Sequence, residues 1–130
     1  MKYTPLFFQP SEFLCPCCHT GQPAALLVFF LDNVRRAWDA PIRVNSGHRC
    51  PRHNKEVGGA IQSRHLIGCA ADIAPVHTEL IEPFKYLLGH LTARLQGWEV
   101  KVYPRFVHVA VPRDEAARLW AGGVLTVNVR

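Results

Sequence analysis

Residues 44–73 read VNSGHRCPRHNKEVGGAIQSRHLIGCAADI. The stretch leaves an alternating run, Pro41-Ile42-Arg43-Val44-Asn45, bounded by proline and by Ser46-Gly47, which predicts a strand. It crosses a long loop over 47–62, with a helical turn expected at Pro51 to Val57 and a sharp turn at the paired glycines 58 and 59. It ends in residues 69–74, which predict a second strand that carries Asp72 into the centre. His65 and Asp72 are seven residues apart, with Gly68, Ala70 and Ala71 between them. An imidazole and a carboxylate are ligands that zinc accepts. The small residues between them let the chain bend tightly and the backbone pack closely. His108 offers a third ligand from Arg105-Phe106-Val107-His108-Val109-Ala110-Val111, an alternating run that also predicts a strand. Taken singly, these three residues read as a loop histidine, a helix-capping aspartate and a strand histidine. Taken together, three protein ligands with an open fourth position are the pattern of a catalytic zinc site.

The longer block resembles the zinc D,D-peptidases of the M15 group, which include D-Ala-D-Ala carboxypeptidases and peptidoglycan-cleaving phage endolysins. The matching pieces are Ser46-Gly47-His48-Arg49, His53-Asn54, Val57-Gly58-Gly59 and Ser63-x-His65-x-x-Gly68-x-Ala70-Ala71-Asp72-Ile73. Pro10-Ser11-Glu12-Phe13 with its nearby cysteines, and Tyr103-Pro104 followed by Phe106-Val107-His108-Val109, extend it over about residues 8 to 112. The resemblance implies that His65, Asp72 and His108 hold Zn2+. It also implies that Arg49 faces the substrate carboxylate. A guanidinium suits that role, being permanently charged and able to bind a carboxylate through two N–H groups. Ser63 matches a serine close to the site, whose hydroxyl orients a ligand or the substrate backbone. The implied reaction is zinc-dependent hydrolysis of D-amino-acid peptide bonds in peptidoglycan stem peptides, by a D,D-carboxypeptidase or an endopeptidase.

Such hydrolysis needs a carboxylate to move a proton from water to the leaving amine. Many members of the group carry it three residues before the last histidine, where this chain has Arg105. Others carry it two residues after, where this chain has Ala110. Strand geometry offers a replacement. If Pro104-Arg105 is a two-residue turn, Lys101 pairs with His108 and Glu99 with Ala110, so Glu99 falls on the face of His108. Glu99 is thus the candidate base, although Pro-Arg is a poor sequence for a tight hairpin turn. Two alternatives stay open. One is a domain of the same fold that binds cell wall or zinc with weakened or lost catalysis, as a phage structural component would. The other is a nucleic-acid-binding or virion assembly protein that reuses the fold.

The chain has 130 residues and a formal charge of +5. That length fits one domain with a modest core, and a basic surface favours polyanionic partners such as an anionic cell wall. No Lys/Arg run marks a nucleic-acid arm. Charge alone does not choose between a nucleic acid and a cell wall; the resemblance implies peptidoglycan or a muropeptide as the partner, with no nucleic acid and no membrane insertion, and the chain is expected to be a monomer. Five cysteines, with Cys15, Cys17 and Cys18 crowded together, do not fit a secreted disulfide framework. Buried, reduced thiols are the expectation. The rival is a structural zinc site from Cys15, Cys17, Cys18 and either His19 or Cys50. Residues 1–10 lack the apolar core of a signal peptide. The chain is expected to be made in the cytoplasm, reaching a cell wall after lysis, on a phage particle or by another export route.

Outward from the central block, residues 22–38 predict a helix with Leu26, Leu27, Phe30, Leu31, Val34 and Trp38 on one face. Residues 1–23 read as irregular, with Ser11 capping a short turn. A second helix is expected from His77 to Gln96, through Leu80, Phe84, Leu87, Leu88, Leu91 and Leu95. His53 is a candidate groove residue. Strands are expected at 98–103 and 106–111, a short helix from Arg113 to Trp120, and a last strand from Val124 to Val129. The order predicts an α+β fold, helices on one mainly antiparallel sheet, in a single domain over 1–130.

Overall fold

The computed structural model describes residues 2–3, 5–119 and 125–126. Among these the chain forms strands β1 (Lys2–Tyr3), β2 (Ile42–Ser46), β3 (Ala70–Pro75), β4 (Glu99–Val102), β5 (Val107–Ala110) and β6 (Leu125–Thr126). Its α-helices are α1 (Ala25–Trp38), α2 (Pro51–Glu56) and α3 (Ile81–Thr92). Pro23 precedes α1, and Ala24 stays extended as its cap, so this helix begins later than its apolar spacing predicts. It closes at Asp39, a left-handed residue whose N–H returns to the Arg35 carbonyl. Pro51 opens α2, where a missing N–H costs nothing.

The main sheet runs β2-β3-β5-β4 and is antiparallel throughout. This is the α+β architecture expected. Side chains alternate across it with period two. Ala71, Ile73, Val107 and Val109 join the hydrophobic core with Leu27, Leu31, Phe84 and Leu88, so α1 and α3 cover that face. Trp38 meets Phe84 edge-on with ring centroids 5.2 Å apart, which locks the two helices together. The even-numbered residues, Asp72 and His108 among them, turn to the opposite face. A strand pair that must be apolar on one side and ligand-bearing on the other has only one workable register.

Several boundaries differ from the sequence reading. The second helix is shorter at both ends: Thr78–Leu80 is a 3-10 turn, and α3 stops at Thr92. Leu80 and Leu95 therefore lie outside it and are exposed, as is Leu91, and only Phe84 and Leu88 of the expected stripe are fully buried. Ser11 lies inside the first 3-10 turn, Pro10–Phe13, whose start is held by Glu12 accepting the Gln9 N–H at 2.7 Å. The stretch after β5 is a 3-10 turn over Arg113–Ala117, and Trp120 lies outside the described residues. Leu125–Thr126 pairs with Lys2–Tyr3 in a separate two-stranded sheet, while Val124 and residues 127–129 of the expected strand lie outside the described residues. Local propensity could not reveal that pairing, because its partner is at the other end of the chain.

Two glycines allow close approaches between segments distant in the chain. A Cβ on Gly47 would lie 2.6 Å from Cα of Phe13, so only glycine lets the end of β2 run against the N-terminal segment. The His48 N–H then reaches the Phe13 carbonyl at 2.8 Å. Gly68 closes the 3-10 turn Arg64–Ile67 in the left-handed region, with φ 75°. A Cβ there would run into the Gln22 carbonyl oxygen.

Candidate active site

Asp72 and His108 are direct cross-strand partners in the β3–β5 ladder. Pairing places their side chains on one face, and His108 Nδ1 lies 2.9 Å from Asp72 Oδ1. His65 arrives from the 3-10 turn before β3. Ser63 caps that turn, its hydroxyl accepting the His65 N–H at 3.2 Å. His65 Nε2 then lies 3.2 Å from the same Asp72 Oδ1. All three residues are buried.

The outer ring nitrogens fix the chemistry of the inner ones. His65 Nδ1 is 2.7 Å from the Gly47 carbonyl oxygen, which can only accept, so Nδ1 carries the proton. His108 Nε2 is 3.0 Å from Glu99 Oε1, and the same logic protonates that nitrogen when the carboxylate is ionised. With a cation bound, each ring would be neutral and offer its inner lone pair beside the Asp72 oxygen; without one, the inner nitrogens carry protons and donate to that oxygen. Three electron-rich atoms converge where a cation would satisfy them all. Ligands about 2.0–2.1 Å from a tetrahedral zinc stand about 3.3 Å apart, close to the spacings here. The group fits a divalent metal by donor type, spacing and the orientation that its outer hydrogen bonds impose.

Burial alone would raise the Asp72 carboxyl. Hydrogen bonds from His108 and His65, reinforced by their charge, outweigh it and hold the group well below the usual carboxylate range. Glu99 follows the same pattern: burial raises it, and the His108 contact with the nearby Arg64 charge brings it below its ordinary value. Both groups are thus anionic at neutral pH.

These residues line a groove of about 310 Å³. The loop from Val57 to Ala60 forms one side and Lys101, Tyr103 and Phe106 the other. Arg49 enters the groove from the loop after β2. Its Nη2 lies 3.2 Å from Asp72 Oδ2, its Nε donates to Ser46 Oγ at 3.1 Å and its Nη1 to Asn54 Oδ1 at 3.4 Å. Three of its five N–H groups are thereby directed inward. Glu99 pairs with Ala110 and Lys101 with His108, and the Tyr103 N–H meets the Phe106 carbonyl at 3.0 Å. Glu99 therefore stands on the face of His108. Its second oxygen lies 3.6 Å from Arg64 Nε.

All six expected site residues, Arg49, Ser63, His65, Asp72, Glu99 and His108, come together in this groove. His53 is not among its lining residues; its N–H instead faces Cys50 Sγ in the first turn of α2. Two contributors escaped sequence reasoning. Asn54 is buried and bridges Arg49 to the Ala60 carbonyl. Arg64 bonds the carbonyls of Gly97 and Val111, tying the His65 turn to the base of the β4–β5 hairpin. The partners of Arg64 are distant in the chain, and those of Asn54 lie across an irregular loop with no fixed period, so spacing shows neither link.

The family model described as Peptidase M15 matches residues 7–110, most of the chain. A search of curated proteins found no match.

Proposed function

The chain belongs to the Peptidase M15 family, and we propose that it is a zinc-dependent D,D-peptidase acting on peptidoglycan stem peptides. The observation that supports this reading most is the convergence of His65, Asp72 and His108 in an open groove beside Arg49. His65 Nε2, Asp72 and His108 Nδ1 would hold the zinc, which when bound would supply Lewis acidity toward a scissile carbonyl and a nucleophilic water near neutral pH. The chain's own residues do the rest. Arg49 has two N–H groups beyond its internal contacts, and these receive the substrate's carboxylate. The Asp72 contact holds the guanidinium in place meanwhile. Tyr103 and Phe106, stacked with centroids 4.6 Å apart, form an apolar wall for the stem peptide. Glu99 is the carboxylate nearest the metal ligands and takes the proton from the attacking water.

A second reading has its own support. Glu99 Oε1 is already occupied by His108 Nε2 and Oε2 faces Arg64. A carboxylate so engaged orients a ligand histidine, and the domain would then bind zinc and cell wall without cutting. The test is hydrolysis of D-Ala-terminated and crosslinked muropeptides by the zinc-loaded protein, read by mass spectrometry. We expect release of D-Ala or cleavage of a crosslink, abolished by chelator and restored by zinc. Arg49→Ala should keep its zinc and lose about 2–5 kcal/mol in kcat/KM, if a buried charge pair to the substrate is broken. Zinc-loaded wild-type protein inert on every such muropeptide would favour the binding domain.

A further inference from the structure

Away from the groove, four of the five cysteines meet. Cys15, Cys17 and Cys18 lie in a tight turn, closed by the His19 N–H on the Cys15 carbonyl and the Cys15 N–H on the Thr20 carbonyl, both at 2.8 Å. Cys50 arrives from the cap of α2. The approach that Gly47 permits beside Phe13 brings the two segments together. Their four Sγ atoms all lie within 4.8 Å of one another. Cys17 to Cys50 is 3.1 Å and Cys15 to Cys17 is 3.6 Å. Four sulfurs about 2.3 Å from a tetrahedral zinc stand about 3.8 Å apart.

We infer that Cys15, Cys17, Cys18 and Cys50 form a second, structural zinc site that clips the N-terminal segment to the start of α2. The surroundings are those of thiolates. The Cys50 N–H points at Cys15 Sγ at 3.4 Å, and the backbone N–H groups of Cys17 and Cys18 also face it. The His53 N–H points at Cys50 Sγ at 3.4 Å, and the Thr20 hydroxyl is 2.9 Å from Cys18 Sγ. Such donors support sulfur ligands from outside the coordination sphere. Four sulfurs from two chain segments at this spacing match the donor type and size of one tetrahedral zinc.

A Cys17–Cys50 disulfide would use the nearest pair but leave the buried Cys15, with its N–H donors, without a charge to hold. His19, the other candidate fourth ligand, is exposed and outside the cluster. Cys69 is also separate: buried against the Pro112 carbonyl and pushed up to about 11 by desolvation, it stays a thiol. The clip closes a long loop, where a crosslink removes most chain entropy. Cys50 directly follows Arg49, so the clip also fixes the base of the arm that reaches Asp72.

The experiment is metal stoichiometry and cobalt spectroscopy on the full chain purified in reductant with zinc, neither of which reads hydrolysis. We expect two zinc equivalents in the wild type, and one in His65→Ala/His108→Ala. Cobalt exchanged into that double variant should show near-ultraviolet sulfur-to-cobalt charge-transfer bands. Cys17→Ser/Cys18→Ser alters two exposed residues, keeps the other site, and should fall to one equivalent without those bands. One equivalent in the wild type with no sulfur bands would overturn the inference. So would an equimolar iron centre, or a Cys17–Cys50 disulfide found by mass spectrometry in protein isolated without reductant.

Discussion

Glu99 carries the sharpest question at the scale of single residues, because one carboxylate stands where two roles compete. A base and a histidine-orienting group differ in what they leave behind when neutralised. Glu99→Gln keeps the size of the side chain and can still accept from His108 Nε2, but it cannot take a proton. If Glu99 is the base, the variant should bind zinc as tightly as wild type while turnover falls about 10²–10⁴-fold. If it only steadies His108, zinc affinity should itself weaken, by about 10–100-fold, with turnover following metal occupancy. Zinc titration beside kcat separates the two, and a variant unchanged in both would remove Glu99 from the site. Arg64 belongs to the same question: its ion pair with Glu99, at 3.6 Å, holds the carboxylate on the groove side of the hairpin.

At the scale of elements, the site rests on two unlike pieces of backbone. One is the β3–β5 ladder, whose register makes Asp72 and His108 partners. The other is the 3-10 turn Arg64–Ile67, which has little regular hydrogen bonding and depends on its ends. Ser63 holds its start, and Gly68 its end, through N–H bonds to the Arg64 and His65 carbonyls. The Gly68 carbonyl also accepts the Ala24 N–H at 2.8 Å, which joins the turn to the start of α1. Gly68→Ala should therefore act at a distance from the metal. Left-handed backbone costs a residue with a Cβ about 1–2 kcal/mol, and the encounter with the Gln22 carbonyl adds to it. Thermal unfolding should drop by on the order of 5 °C or more, with weakened zinc binding as His65 shifts. An unaltered melting temperature would mean that this turn tolerates a different closure.

For the whole molecule, the buried anion at the centre links folding to pH and metal. Asp72 and Glu99 both sit below their ordinary values when folded. A depressed carboxyl stabilises the fold fully above its unfolded value and loses that contribution as pH falls through the folded one. Metal-free protein should thus melt progressively lower as pH falls below about 4. The fall should be shallower in Asp72→Asn, and thermal melts after chelation check it; identical curves for the two would show that Asp72 is not the group responsible. Among the described residues no helix is long and apolar enough to cross a membrane. Much of this was legible in the chain because it is local. The alternation at 105–111, the apolar face of 26–34 and the small residues between His65 and Asp72 are short-range patterns with direct geometric meaning. Even the pairing of Glu99 with Ala110 followed from counting outward from Pro104-Arg105. What lay beyond reach joins residues far apart in the chain: the Arg64 anchor on the hairpin, the β1–β6 pair, and the choice of Cys50 over His19 beside the cysteines at 15–18. Spacing fixes which way a side chain leaves its own strand or turn. Which distant segment it then meets is set by packing of the whole core, here by a glycine at 47 that lets two backbones touch.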